Sequence, residues 1–228
     1  MPLVGLVIAG ALALPPLESL PTQQRLTYLA KPVYCGGIRG RNVALTFDDG
    51  PGPYTLRLVR VLRKEHVRAT FFLVGSRVPL WPGSVRAAGK VGVLGNHTWS
   101  HRSLWLSGPR ETARQVGQGH AAIAEAAGAA PRFFRPPWGM TNLALFPLLR
   151  RLRTPCVFWT LQTEGRRPAA GALQIERARR RTRGGAILDL HDADGVPGAG
   201  VRLLEALPGM IAAIRSLGLS LVPLRELL

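Results

Sequence analysis

Short apolar runs recur along the chain, separated by longer stretches whose apolar residues fall three and four apart. The first run, Val43 to Phe47, reads as a buried strand. Tyr54 to His66 follows with Leu56, Val59 and Leu62 at helical spacing. Arg68 to Val74 (RATFFLV) is rich in β-formers and predicts a second strand. Trp81 to Lys90 predicts a helix and Val91 to Leu94 a short third strand. Pro109 to Gly128 predicts a helix, with Pro near its start and Gly at its end. Arg132 to Phe134 is the fourth expected strand. Leu143 to Leu152 is helical, with Pro147 near an end or at a kink. Cys156 to Leu161 is expected as strand five. Ala172 to Arg183 is expected as a helix closed by Gly184-Gly185, and Ala186 to Leu190 as strand six. Val201 to Leu217 predicts a helix interrupted at Pro208-Gly209, and Leu219 to Val222 a seventh strand.

Seven strands separated by helical stretches imply an α/β fold with a parallel sheet built from βαβ units. At 228 residues the chain suits one domain and a closed or nearly closed barrel, with an open doubly wound sheet as the alternative. That domain is expected over residues 41–228. Residues 1–40 comprise an apolar segment and a linker-like stretch. Pro2 to Leu14 is nearly all apolar and is followed by Pro15-Pro16. It is short for a membrane span. It is similar to a signal-peptide core, with Ala11-Leu12-Ala13 as a candidate cleavage site, but it lacks a basic start. An exported protein, an anchor remnant and a helix packed on the domain stay open. The expectation is an extracytoplasmic protein, secreted or held at the membrane through this segment.

Composition narrows the class. A hydrophobic content of 46% excludes disorder, and the formal charge is +17. Nearly all of it is arginine; the only lysines are Lys31, Lys64 and Lys90. Such a balance suggests an anionic partner: nucleic acid, an acidic membrane surface or an anionic wall polymer. The aromatic and basic residues form no known nucleic-acid reader, so no nucleic acid is expected. Cys35 and Cys156 lack metal-motif spacing, and whether they pair is open.

The unusual polar residues fall at the ends of the expected strands. Asp48 and Asp49 follow strand one, and Gly50-Pro51-Gly52-Pro53 then breaks regular structure. His97 and His101 follow strand three, Arg135-Pro136-Pro137-Trp138-Gly139 strand four, and His191-Asp192 strand six. In a parallel barrel these ends share one face, where active sites form. Adjacent carboxylates repel unless a cation lies near. Two imidazoles four residues apart share a face if they lie on a helical turn, and Asp49 completes a His–His–Asp set with open positions. Such a set suits Zn²⁺, with Co²⁺, Mn²⁺ or Ni²⁺ as alternatives. Asp48 is then placed as a base for an activated water, and His191 as an acid for a leaving amine. Arg135 can keep Asp48 ionised and oriented. Trp138 and Leu190 are candidates for a small apolar pocket fitting an acetyl methyl, whereas Leu188 reads as core.

TFDDGP at 46–51, HTWSH at 97–101, RPPWG at 135–139 and LDLHD at 188–192 resemble the motifs of the polysaccharide deacetylases, the NodB-homology family or carbohydrate esterase family 4. RATFFLVG at 68–75 and GNHT at 95–98 are similar to it as well. The resemblance implies a distorted (β/α) barrel of about seven parallel strands. It implies metal-dependent N-deacetylation of acetylated amino sugars such as peptidoglycan or chitin-like glycans, a hydrolase of linear amides. By motif, Asp48 corresponds to the base, Arg135 to its orienting partner and His191 to the acid. Asp49, His97 and His101 correspond to the metal ligands, and Pro137, Trp138 and Leu190 to substrate-pocket positions.

One departure stands out. The family often carries Asp-x-x-Asp-Trp after strand five, one aspartate tuning the acidic histidine. Here the stretch is Trp159-Thr160-Leu161-Gln162-Thr163-Glu164-Gly165-Arg166, with Gln162 and Gly165 where aspartates are expected. Glu164 with a shifted register, Asp189 or Asp192 are the candidate substitutes. Without one, the His191 imidazolium is less stable. The expected protein is a monomeric glycan deacetylase. Its rivals are an O-deacetylase on the same site, a catalytically weakened glycan-binding barrel and a basic nucleic-acid binder.

Overall fold

In the computed structural model the described residues are 33–34, 40–164, 170–193 and 198–227. The apolar segment at 2–14 and Cys35 lie outside them; Cys156 is buried. Nine short strands form one parallel sheet among the described residues. They are β1 (Val33–Tyr34), β2 (Asn42–Asp48), β3 (Ala69–Leu73), β4 (Gly92–Asn96) and β5 (Phe133–Phe134), then β6 (Cys156–Val157), β7 (Leu161–Gln162), β8 (Ile187–His191) and β9 (Ser220–Leu221). The order is β1-β6-β5-β4-β3-β2-β8-β7, with β9 on β2. The helices are α1 (Thr55–Lys64), α2 (Pro82–Val91), α3 (Pro109–Ala127), α4 (Leu145–Arg151), α5 (Gly171–Arg181) and α6 (Ala199–Ser216).

The sheet exceeds the expected seven strands partly because the fifth run splits. Cys156-Val157 pairs with β5 and β1, whereas Leu161-Gln162 pairs with β8 at the other edge. Three residues, 158–160, bridge the two edges, so the sheet curls into a nearly closed barrel. The split is held by a side chain: buried Arg135 donates from Nε to the Val157 carbonyl (3.2 Å) and from Nη2 to that of Phe158 (3.1 Å). Those carbonyls sit where the strand leaves one edge, and a buried carbonyl needs a donor.

Alternation along each strand sorts the core. Val43, Leu45 and Phe47 of β2 point to the helices and join the main core with Leu58, Leu62, Leu203 and Leu207. Ala44 faces the barrel interior with Phe72, Phe133, Val157 and Ile187, and Leu224 from the C-terminal turn plugs that layer. Two positions on from Ala44 come Thr46 and then Asp48, so the same inward side delivers a carboxylate to the barrel mouth.

The predicted break in the last helix does not occur. α6 runs unbroken through Pro208. Leu207, Met210, Ile211 and Ile214 are fully buried around that point, and their burial outweighs one lost backbone hydrogen bond. Gly209 serves packing instead: a Cβ there would lie 2.5 Å from Ile175 of α5. Pro147 sits in the first turn of α4, where its missing N–H costs little.

Candidate active site

The barrel mouth brings together Asp48 and Asp49 from the end of β2, the 97–101 loop after β4, Arg135 after β5 and His191 from β8. Asp48 and His191 are direct partners in the β2–β8 register. His101 Nε2 lies 3.0 Å from Asp49 Oδ1, and His97 Nε2 lies 3.6 Å from it. One ligand atom from each of Asp49, His97 and His101 lies within 4.8 Å of the others. The loop is not the helical turn expected from the four-residue spacing. Thr98 and His101 adopt φ of 69° and 54°, and no helix covers residues 97–104. Asn96 holds it by accepting the Thr98 N–H (2.9 Å), and Gln115 by accepting that of Ser100 (3.0 Å).

Asp49 (φ 71°) and Trp138 (φ 54°) are also left-handed, so four non-glycine residues at this mouth hold a conformation that costs energy. Arg77 donates from Nη1 to the Asp49 carbonyl (2.7 Å), fixing the turn. A Cβ on Gly50 would collide with the Asp192 carboxylate, so that turn tolerates only glycine as packed.

The residues fit a divalent cation. Asp49 Oδ1 is buried with no aligned hydrogen-bond donor, although His101 Nε2 is close. His97 Nδ1 lies 2.7 Å from the Arg135 carbonyl, which sets that nitrogen as the donor and leaves the Nε2 lone pair facing Asp49. Burial, reinforced by His101, holds the His97 pKa down at about 3, so the ring stays neutral and ready to ligate. Burial works against ionised Asp49, but His101 and His97 outweigh it and hold the carboxyl well below the usual range.

Asp48 is 3% exposed. Its Oδ1 accepts from Arg135 Nη1 at 2.8 Å, and Oδ2 lies 3.7 Å from His97 Nε2. Burial pushes its pKa up, with Arg135 pulling against it, so Asp48 is a stronger base than a surface aspartate. Arg135 orients the carboxyl as expected, but its pull toward the ionised form is outweighed by burial. Arg135 is fully buried, lies 4.2 Å over the Phe72 ring and also donates to Thr46 Oγ1 (2.7 Å) and Asp189 (3.3 Å).

Of the three candidate partners of His191, Glu164 is the one in contact. Its Oε2 lies 2.5 Å from His191 Nδ1, and its Oε1 accepts the His191 backbone N–H at 3.1 Å. Asp189 is instead engaged by Arg135 and by Gln162 Nε2 (2.8 Å), and Asp192 by the Thr55 hydroxyl (2.5 Å). Burial lowers the His191 pKa, but Asp189 and Glu164 outweigh it and raise it well above the ordinary value.

The pocket expectation needs correction at one residue. Leu190 is fully buried in the helix–sheet core beside Leu188. It neighbours His191 in sequence, so it points to the opposite side of β8 and cannot line the mouth. Trp138 is 55% exposed, its ring 4.5 Å from that of His101 in an edge-on contact, and Pro137 is buried in the same turn. The residues missed from sequence are Arg77, Gln115 and Thr55; Arg77 and Thr55 had a signal, lying just past the motifs at 68–75 and 46–51, and Gln115 had none.

Comparison with known proteins agrees with this geometry. A family model for polysaccharide deacetylase matches residues 37–157, more than half of the chain. The chain belongs to the polysaccharide deacetylase family. A peptidoglycan-N-acetylglucosamine deacetylase of Listeria monocytogenes is 28% identical over 189 residues, covering 82% of this chain and 39% of that protein. The chain thus spans about two fifths of that relative. A CE4 family pseudoenzyme from Bacillus anthracis superposes with a TM-score of 0.78 at 25% identity, covering 89% of this chain and 70% of the other. A family 4 acetyl xylan esterase from Clostridium thermocellum, solved with a cobalt ion, gives 0.73 at 31% identity, covering 82% and 89%.

Proposed function

We propose that this domain is a metal-dependent hydrolase that removes N-acetyl groups from amino-sugar glycans of the peptidoglycan or chitin type. The observation that carries this reading is the Asp49–His97–His101 set at the same barrel mouth as a buried carboxylate, Asp48, and a carboxylate-backed imidazole, His191. The relatives named for peptidoglycan and chitin deacetylation support the substrate class.

Asp49, His97 and His101 would hold the cation, with Zn²⁺ preferred and Co²⁺, Mn²⁺ or Ni²⁺ the alternatives; the cobalt of the esterase relative supports such a site. When bound, the cation supplies Lewis acidity toward a carbonyl and a water. Asp48 accepts the proton of the attacking water at Oδ2, the oxygen that Arg135 leaves open. Arg135 fixes the other oxygen and so the direction of the base. His191 gives its Nε2 proton to the leaving nitrogen as the amide C–N bond breaks, and acetate and a free amine result. Glu164 holds the ring by Nδ1 and keeps it protonated. Exposed Trp138 offers an apolar face for the sugar beside His101.

The working place of this reaction is extracytoplasmic, supported by the wall-glycan names of the relatives and the apolar segment at 2–14. No described helix is long and apolar enough to cross a membrane. The esterase likeness favours one second reading, O-deacetylation on the same site. Paired assays on acetylated chitooligosaccharides and acetylated xylan separate the two. Acetate from the first substrate supports the proposal, and acetate from xylan alone replaces it with the esterase.

A further inference from the structure

The end of the barrel opposite the catalytic mouth carries the positive charge. All the sheet pairings are parallel, so residues just before each strand meet at one end. Helices that return between parallel strands finish at that same end. Their last turns are basic: Arg63 and Lys64 in α1, Lys90 in α2, Arg150 and Arg151 in α4, and Arg179 to Arg181 in α5. Attraction to the helix dipole accounts for a cation or so at each helix end. It does not account for the exposed Arg68, Arg132, Arg153 and Arg183, which sit in the loops leading into strands.

Within this end a cleft of about 450 Å³ is lined by Arg68, Arg86, Lys90, Arg132 and Arg225, with Val85, Val93 and Leu94 among its apolar lining. No carboxylate lines it. Among the described residues Arg68, Arg86, Lys90 and Arg132 make no ion pair; Arg225 only approaches Glu226, at 4.0 Å. The other acids of this end are Glu65, held by Arg215, Glu125 near the end of α3, and Glu176 of α5, which pairs with Arg179 (2.9 Å) and Arg180 (3.7 Å). The opposite mouth collects Asp48, Asp49, Glu164, Asp189 and Asp192. There the cations Arg77 and Arg135 are engaged by the Asp49 carbonyl, Asp48 and Asp189, whereas Arg68, Arg86, Lys90 and Arg132 at the strand-entry end face no carboxylate among the described residues.

We infer that the strand-entry end is a docking face for an anionic lipid bilayer, which leaves the catalytic mouth pointing away from the membrane. The cations spread over helix ends around the barrel, a broad distribution that matches a flat charged surface. The cleft is lined by Arg86 and Lys90 of α2 with Arg68, Arg132 and Arg225 beside them, a cluster of cations that suits phosphate headgroups. In sequence the apolar run at 2–14 precedes β1, and β1 starts at this same end. A weak apolar anchor and a basic patch together hold a protein where either alone does not.

The test is co-sedimentation of the full chain with vesicles of phosphatidylcholine alone and with about 30% phosphatidylglycerol. The variant is Arg68→Glu/Arg86→Glu/Arg132→Glu, with the corresponding Gln triple variant as a milder form. None of the three touches the catalytic mouth, so acetate release from a soluble oligosaccharide checks folding. Expected is binding that needs the anionic lipid, weakens with salt and falls at least about tenfold in the Glu variant. Equal binding of wild type and variants overturns the inference. So does tighter binding of soluble polyphosphate than of vesicles at equal phosphate, which makes a free anionic polymer the partner. Binding to the neutral vesicles as tight as to the anionic ones overturns it as well, since the basic face then contributes nothing.

Discussion

Glu164 grips His191 at two points, through the ring nitrogen Nδ1 at 2.5 Å and through the backbone N–H at 3.1 Å. The second contact explains how a glutamate serves where the family often uses an aspartate from a different position. The carboxylate reaches past Gln162, which is occupied with Asp189, and is fixed by the strand it serves. Glu164→Gln removes the charge and keeps the shape. The His191 pKa, held high by the carboxylates, then falls, so the alkaline limb of the pH–rate profile moves to lower pH. The rate at neutral pH is expected to drop about tenfold to a hundredfold. An unmoved limb would remove Glu164 from the mechanism.

Arg135 couples fold and chemistry. It is fully buried and serves Asp48, Asp189, Thr46 and the two carbonyls at the strand split. Arg135→Met leaves Asp48 without its partner and those carbonyls without donors. A loss of stability of about 3–5 kcal/mol is expected in urea unfolding, together with loss of activity. Lysine keeps the charge but not the forked donor set, and is expected to recover only part of either.

Asp192 gives the protein a pH-dependent stability. Burial raises its pKa to about 7, Thr55 opposing the shift and Asp49 adding to it. A raised folded pKa means stability that is full below the unfolded value, near 4, and is lost as pH rises through about 7. In chelator-treated protein, Asp192→Asn is expected to be more stable than wild type at pH 8 and to flatten the fall between pH 4 and 8. The gain is on the order of a few kcal/mol at most. Parallel thermal melts across that range check it, and identical slopes would contradict it.

Metal affinity tests the ligand set apart from activity. Asp49→Asn and His101→Ala are expected to bind far less Zn²⁺ by direct metal analysis and to lose the rise in melting temperature that a bound ion gives. Asp48→Asn is expected to keep most of the metal, because Asp48 stands beside the set and is proposed as the base, not a ligand.

Much of the site was legible because each polar group follows an apolar run. Asp48, Asp49, His97, Arg135 and His191 all come within a residue or so of a strand end, and parallel strands collect their ends. The split at Phe158 was not legible, because its cause is a guanidinium from another strand. Four left-handed residues at the mouth carry no glycine to announce them. The Leu190 error was avoidable: strand alternation sends Leu190 and His191 to opposite sides. The continuity of α6 through Pro208 came from burial that no local signal reveals.

The central claim is hydrolysis of an N-acetyl group at this mouth, and acetate release from acetylated chitooligosaccharide and peptidoglycan tests it most directly. Metal-loaded protein, chelated protein and the Asp48→Asn variant are compared. Acetate from the loaded wild type, abolished by chelation and by Asp48→Asn, is the expected result. No acetate from either glycan, in protein shown to hold one metal ion, would contradict the account.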